Sequence, residues 1–147
     1  MSYIEEIAKK LISKHKTRDP FLICEATGLN VVFKDLGSLK GMYAVIKRNR
    51  YAVLNSALSP AERKVICAHE LGHDILHRGF AKDLFLQDFM LYDMKDRPEY
   101  EADLFAASLL VDEDELKELI KLNLSLIDMA EALNLPPSII EFRIKSH

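Results

Sequence analysis

The residues from Ser59 to His77 carry the clearest structural signal in the chain and read SPAERKVICAHELGHDILH. Ser59 and Glu62 have the spacing of a capping box, and Pro60 suits the first position of a helix. Apolar residues then recur at helical spacing. We predict a helix that runs from this cap to about His77 and ends at Gly79.

Further elements are predicted on both sides of this helix. Capped or amphipathic helices are expected over 2–16, 19–28, 98–110, from 112, over 125–133 and after 137. β-branched and aromatic residues predict strands at 31–33, 42–46 and 51–54, with an exposed turn at 47–50. The apolar residues within 80–97 fit neither the helical nor the strand period. We expect an α+β fold, a mainly helical single domain over 1–147 in which a small three-stranded antiparallel sheet packs against the 59–77 helix.

Composition excludes several classes of protein. The chain has 147 residues, 49% of them hydrophobic, and a net charge of −3, which gives no general attraction for phosphate backbones. It has no apolar segment of membrane-spanning length and no secretory signal pattern. Cys24 and Cys67 are too far apart in sequence for a Cys-x-x-Cys motif and are predicted to be buried thiols. A cytoplasmic protein without a membrane partner is expected.

The pentapeptide His69-Glu70-Leu71-Gly72-His73 predicts a metal site. Residues four apart share a helix face, so His69 and His73 can direct their imidazoles at one ion. Neutral imidazole suits Zn²⁺, and a catalytic zinc site keeps a position open for water. Glu70 lies about 100° around the helix, where it is placed to act as the general base of peptide hydrolysis.

A third ligand must come from elsewhere in the chain. Leu76 and Gly79 exclude the metzincin pattern, which needs glycine and histidine at these positions. The segment that follows Pro98 is acidic, and Glu99 and Asp103 share a helix face there. We expect Glu99 to be the third metal ligand and Asp103 to accept the outer N–H of a metal-bound histidine. Glu101 is the alternative third ligand.

Other polar side chains are expected around the same site. His77 follows His73 by four residues and is expected to be a packed or pocket-lining histidine rather than a ligand. The group that stabilises the tetrahedral oxyanion stays open, and His77, Tyr43, Tyr92 and Tyr100 are the candidates for it or for substrate contact.

These motifs together resemble the ImmA/IrrE metallopeptidases. The stretches that carry the resemblance are Gly41-Met42-Tyr43, Leu54-Asn55, Ala68–His73 with Leu76-His77, and Glu99–Leu110. The resemblance implies a gluzincin-like zinc endopeptidase with ligands His69, His73 and Glu99 and catalytic Glu70. It also implies site-specific cleavage of a helix-turn-helix repressor, which derepresses a prophage, a mobile element or a stress regulon. The family often has asparagine at the position of Asp103 and Met-Pro at that of Val111-Asp112.

The C-terminal segment, residues 112–147, has a helix-turn-helix rhythm but the wrong charge for DNA. It holds four Lys/Arg against eight Asp/Glu, a net charge of −4, and direct nucleic-acid binding is therefore disfavoured. We expect a helical subregion that packs or docks a partner. The alternative to a protease is a zinc-stabilised binding module that acts on a transcription factor without cutting it.

Overall fold

The protein is described by a computed structural model that covers residues 2–78, 84–88 and 96–146, with the backbone alone for 84–88. In chain order its elements are α1 (Tyr3–His15), α2 (Pro20–Thr27), β1 (Asn30–Lys34), β2 (Gly41–Ile46), β3 (Asn49–Asn55), α3 (Pro60–His77), β4 (Leu84–Asp88), α4 (Arg97–Leu110), α5 (Glu113–Lys121), α6 (Leu126–Leu133) and α7 (Pro137–Ser146). The predicted α+β class, mainly helical with a small sheet, is confirmed.

The sheet has the strand order β1-β3-β2-β4. β2 pairs antiparallel with both β3 and β4, whereas β1 pairs parallel with β3. The three predicted strands are therefore present, and two of the three pairings in the described sheet are antiparallel. The sequence analysis did not predict the parallel β1–β3 pairing or the fourth strand, β4, which lies in the segment without a clear period.

Helix α3 begins where its sequence predicts. Ser59 Oγ accepts from the backbone N–H of Glu62, and the Glu62 carboxylate accepts from the backbone N–H of Ser59, which completes the capping box. The second half of α3 is buried almost without interruption from Val65 to Asp74. It lies between the sheet on one side and α4 on the other. Gly79, the predicted stop, lies outside the described residues.

The crossing of α3 and α4 depends on Gly72. A Cβ atom there would lie 3.1 Å from the Phe105 ring and 3.2 Å from Ala102 Cα. Glycine therefore lets the two backbones come closer than any other residue would allow. This close crossing brings the first turn of α4 to the face of α3 that carries the histidines.

The remaining helices complete the core. Ile139 and Ile140 of α7 are fully buried, and α7 packs on α4 and α6. Cys24 and Cys67 are free, buried thiols with their sulfur atoms 3.7 Å apart, as predicted. Within the described parts of the chain, no helix combines the length and apolarity that crossing a bilayer needs.

Candidate metal centre

The imidazoles of His69 and His73 and the carboxylate of Glu99 meet at one point between α3 and α4. His69 Nε2 lies 2.9 Å from Glu99 Oε2, and His73 Nε2 lies 2.9 Å from Glu99 Oε1. One ligand atom from each of the three residues lies within 4.8 Å of the others. Both histidines are buried, whereas Glu99 is partly accessible. The described residues thus form a three-donor cluster with one side near solvent.

The two carboxylate contacts of His69 cannot both be satisfied by a neutral imidazole and two carboxylates alone. A neutral imidazole has one N–H, yet both ring nitrogens of His69 contact carboxylates. Nδ1 lies 2.8 Å from Asp103 Oδ1, and Nε2 lies 2.9 Å from Glu99 Oε2. One of these contacts therefore needs either an additional proton or a metal ion between its two atoms.

The donor set fits zinc. Two imidazoles with one carboxylate are the ligands of a well-known class of catalytic zinc site, which leaves a fourth position for solvent. Donors about 2.0–2.1 Å from a tetrahedral ion lie about 3.3 Å apart, and the His–Glu99 distances of 2.9 Å are close to that value.

Glu70 lies beside the cluster, pressed against strand β2. Its side chain is fully buried. A Cβ atom built on Gly41 would lie 2.5 Å from Glu70 Oε2 and 2.6 Å from Ile66 Cγ2. The Glu70 carboxylate can therefore occupy this position only because residue 41 has no side chain. Sequence analysis did not single out Gly41 for this role, although a glycine in a strand often marks close approach of another group.

His73 is linked to a second polar chain. Its Nδ1 lies 2.8 Å from Nδ1 of His77, and His77 Nε2 lies 3.1 Å from Glu101 Oε1. His77 is only 1% exposed. Burial lowers the pKa of the His77 imidazole below its usual value; hydrogen bonding to Glu101 opposes this effect, and the nearby His73 adds to it. Glu101, the alternative third ligand, thus contacts His77 and is not part of the three-donor cluster.

A buried network behind the cluster ties α3 to the sheet and to α2. The Tyr43 hydroxyl donates to Asp74 Oδ1 at 2.6 Å, and Arg50 forms an ion pair with the other oxygen of Asp74. Arg50 also donates to the carbonyl of Thr27 at the end of α2, at 2.6 Å. Burial, followed by the hydrogen bond to Asp74, raises the pKa of Tyr43 far above its usual value, so Tyr43 stays a neutral donor.

The other tyrosines named from the sequence have different positions. Tyr100 packs against Phe142 of α7, with ring centroids 5.8 Å apart, and Tyr92 lies outside the described residues. The Tyr43 hydroxyl is engaged by Asp74, and its ring is tilted against His73 at 6.2 Å. Sequence reasoning missed the Arg50–Asp74 pair, which joins residues 24 positions apart and carries no local signal.

Comparisons with known proteins agree with this geometry. Residues 24–145 match the family model described as Peptidase_M78, IrrE N-terminal-like domain. The chain is 33% identical to uncharacterized immunity region protein 2 of Bacillus phage phi105 over 141 residues, which cover 95% of this chain and 88% of the phage protein. It is 24% identical to metallopeptidase ImmA of Bacillus subtilis (strain 168) over 147 residues, which cover 96% of this chain and 83% of that protein.

Proposed function

Since this chain belongs to the ImmA/IrrE family of metallopeptidases, we propose that it is a zinc-dependent endopeptidase. The observation that supports the proposal best is the convergence of His69, His73 and Glu99, whose ligand atoms lie within 4.8 Å of one another. Glu70, buried next to this cluster, supplies the carboxylate that a hydrolytic reaction needs in addition to the ligands.

His69, His73 and Glu99 would hold the ion. When bound, zinc supplies a Lewis acid that polarises the scissile carbonyl and lowers the pKa of water. Glu70 takes the proton from the water that attacks this carbonyl and then delivers it to the leaving amine. Asp103 accepts the hydrogen bond from His69 Nδ1 and thereby fixes the tautomer in which Nε2 carries the lone pair that would bind a metal.

The substrate we propose is a helix-turn-helix repressor of a prophage, a mobile element or a stress regulon. The relative in phage phi105 is named as an immunity region protein, and the Bacillus subtilis relative is named as metallopeptidase ImmA. If immunity depends on a repressor, a protease that cuts this repressor would end it. A cytoplasmic location, where repressors act, follows from this proposal.

The sheet limits how a substrate strand can bind. An extended peptide cannot add as a strand along residues 42–54, because β2 lies between β3 and β4, and β3 lies between β1 and β2. That part of the sheet therefore offers no free edge. Asp88 of β4 pairs with Gly41, which in turn contacts Glu70. We propose that the substrate backbone pairs with β4, the outer strand on this side of the described sheet.

Glu70→Gln tests the proposal. The variant should bind zinc as the unmodified protein does but lose cleavage of a repressor encoded beside its gene, because glutamine cannot accept the proton. Cleavage is measured by mass spectrometry of the products and zinc by elemental analysis. Glu6→Gln, at an exposed position on α1, is the matched control and should cut normally.

One outcome would contradict the role of Glu70, and another would contradict the endopeptidase assignment itself. Retained turnover in Glu70→Gln would remove Glu70 from the mechanism. If Glu70→Gln still inactivated the repressor in cells without cutting it, whereas His69→Ala did not, the chain would act as a zinc-stabilised binding module.

A further inference from the structure

We propose that His77 and Glu101 are positioning residues for the metal ligand His73, acting as a hydrogen-bonded imidazole–carboxylate relay on the side of its ring away from the metal. This inference rests on the metal site proposed above. It gives His77 a role other than the contact with substrate or oxyanion that its sequence position suggested.

The relay is continuous and enclosed. It runs from Nδ1 of His73 to Nδ1 of His77 over 2.8 Å, and from Nε2 of His77 to Oε1 of Glu101 over 3.1 Å. The His73 and His77 side chains are at most 1% exposed, whereas that of Glu101 is 27% exposed. The relay thus begins in the core beside the metal ligand and ends on a carboxylate near the surface of α4.

Metal coordination fixes the direction of both hydrogen bonds. If His73 binds an ion through Nε2, its remaining proton lies on Nδ1 and is donated towards His77. Nδ1 of His77 must then accept, which places the proton of His77 on Nε2, where it is donated to Glu101. Each contact therefore has one donor and one acceptor, and no additional proton is needed.

The second histidine ligand is held in a different way. His69 donates directly to the Asp103 carboxylate at 2.8 Å, whereas an imidazole separates His73 from the corresponding carboxylate, Glu101. A carboxylate on the outer nitrogen raises the basicity of a ligand and fixes its ring. We expect the relay to fix the His73 ring as firmly as Asp103 fixes that of His69, but to transmit less of the carboxylate charge.

The geometry leaves His77 poorly placed for substrate. Both of its ring nitrogens are engaged within the protein, and its ring lies 5.0 Å from that of His73, centroid to centroid. A group that stabilises an oxyanion must direct a donor at the reacting carbonyl. The N–H that His77 donates in the relay is directed at Glu101.

The test measures zinc affinity by competition with a fluorescent chelator. His77→Phe keeps a ring but removes the acceptor and should weaken zinc binding about 10- to 100-fold. In His77→Gln the amide oxygen can accept the hydrogen bond from His73, so this variant should lose less zinc affinity than His77→Phe. The zinc affinity of Glu101→Gln should lie between those of His77→Phe and the unmodified protein. Arg97→Gln is the control, because the Arg97 side chain is 85% exposed and pairs with Oε2 of Glu101, whereas His77 contacts Oε1; it should bind zinc normally.

A second readout does not depend on any variant. Long-range proton–nitrogen NMR of the zinc-loaded protein should show His73 protonated on Nδ1 and His77 protonated on Nε2 alone. A proton on Nδ1 of His77 would overturn the relay even if His77→Phe failed to fold. A folded His77→Phe with normal zinc affinity would also overturn it.

The outcomes separate this inference from the proposed function. The predicted tautomers and zinc affinities in a protein that cuts no repressor would support the relay and contradict the proposed substrate. Normal zinc affinity in His77→Phe together with active cleavage would contradict the relay and support the proposed function. A protein that binds no zinc would overturn both.

Discussion

The position of Glu70 against the backbone of β2 leads to a sharp prediction for Gly41→Ala. Gly41 has no left-handed backbone conformation that alanine would resist. The only obstacle is space, because the new methyl group would meet Glu70 Oε2 at 2.5 Å and Ile66 Cγ2 at 2.6 Å. Both of these side chains, or the strand itself, have to move.

The size of the movement follows from these contacts. Ordinary van der Waals contacts begin at 3.4 Å, so the Glu70 carboxylate has to withdraw by about 1 Å if the strand keeps its place. A misplacement of about 1 Å can reduce turnover about 100-fold. Overpacking in a core typically costs about 1–3 kcal/mol, which corresponds to a fall in Tm of several degrees for a chain of about 150 residues. The variant should therefore fold but turn over substrate about 100 times more slowly.

The assay compares kcat and zinc affinity in two glycine variants. Gly41→Ala should lose kcat and keep zinc, because it displaces the base and none of the three ligands. Gly72→Ala should instead lower the zinc affinity. Its methyl group would meet Phe105 and Ala102 at 3.1–3.3 Å and push away α4, which carries Glu99. Its kcat at saturating zinc should approach that of the unmodified protein.

The result that would refute this reasoning is a folded Gly41→Ala protein with normal kcat. It would mean that Glu70 does not act from the position described here. Loss of zinc in Gly41→Ala, with normal zinc in Gly72→Ala, would mean that the roles of the two glycines are reversed.

Two further predictions concern stability. Arg50→Met should lower the free energy of unfolding by about 3–5 kcal/mol, because it leaves the buried Asp74 carboxylate without its cation; chemical denaturation measures this, and a second change, Asp74→Asn, should recover part of the loss. Ser59→Ala should cost about 1 kcal/mol at pH 7 through loss of the helix cap. The backbone and side-chain hydrogen bonds of Ser59 hold the pKa of Glu62 below its usual 4.5, and alanine removes only the side-chain bond. The contribution of that bond to stability is present above pH 4.5 and is lost as pH falls through the lowered pKa. The difference between Ser59→Ala and the unmodified protein should therefore shrink in acid, and equal differences at pH 7 and pH 3 would contradict the role of the Glu62 carboxylate.

Elements with local signals could be predicted from the sequence. The start of α3 was predictable because Ser59 and Glu62 form hydrogen bonds within one turn. Pairings between distant segments were not, because a strand pattern does not name its partner, and the parallel β1–β3 pair was missed for this reason. The β2–β3 turn was also only partly predicted. It takes two residues, Lys47 and Arg48, both with positive φ, where glycine or asparagine is the usual signal.

In the candidate site, too, local spacing could be predicted from the sequence, whereas contacts between distant segments could not. The spacing of His69 and His73 on one helix implied that their imidazoles share a face. The sequence also ranked Glu99 ahead of Glu101 as the third donor. It did not reveal that Glu101 reaches His77, because that depends on how α4 crosses α3 and therefore on Gly72.

The three donors are anchored with unequal strength. His69 and His73 lie in the buried middle of α3, but Glu99 is the third residue of α4, in a first turn held by the Asp96 cap. Helix ends open far more often than helix centres, so loading and release of the ion should follow the opening of that first turn. Pro98, which stiffens the turn, would then set how long the ion stays as well as where the helix begins.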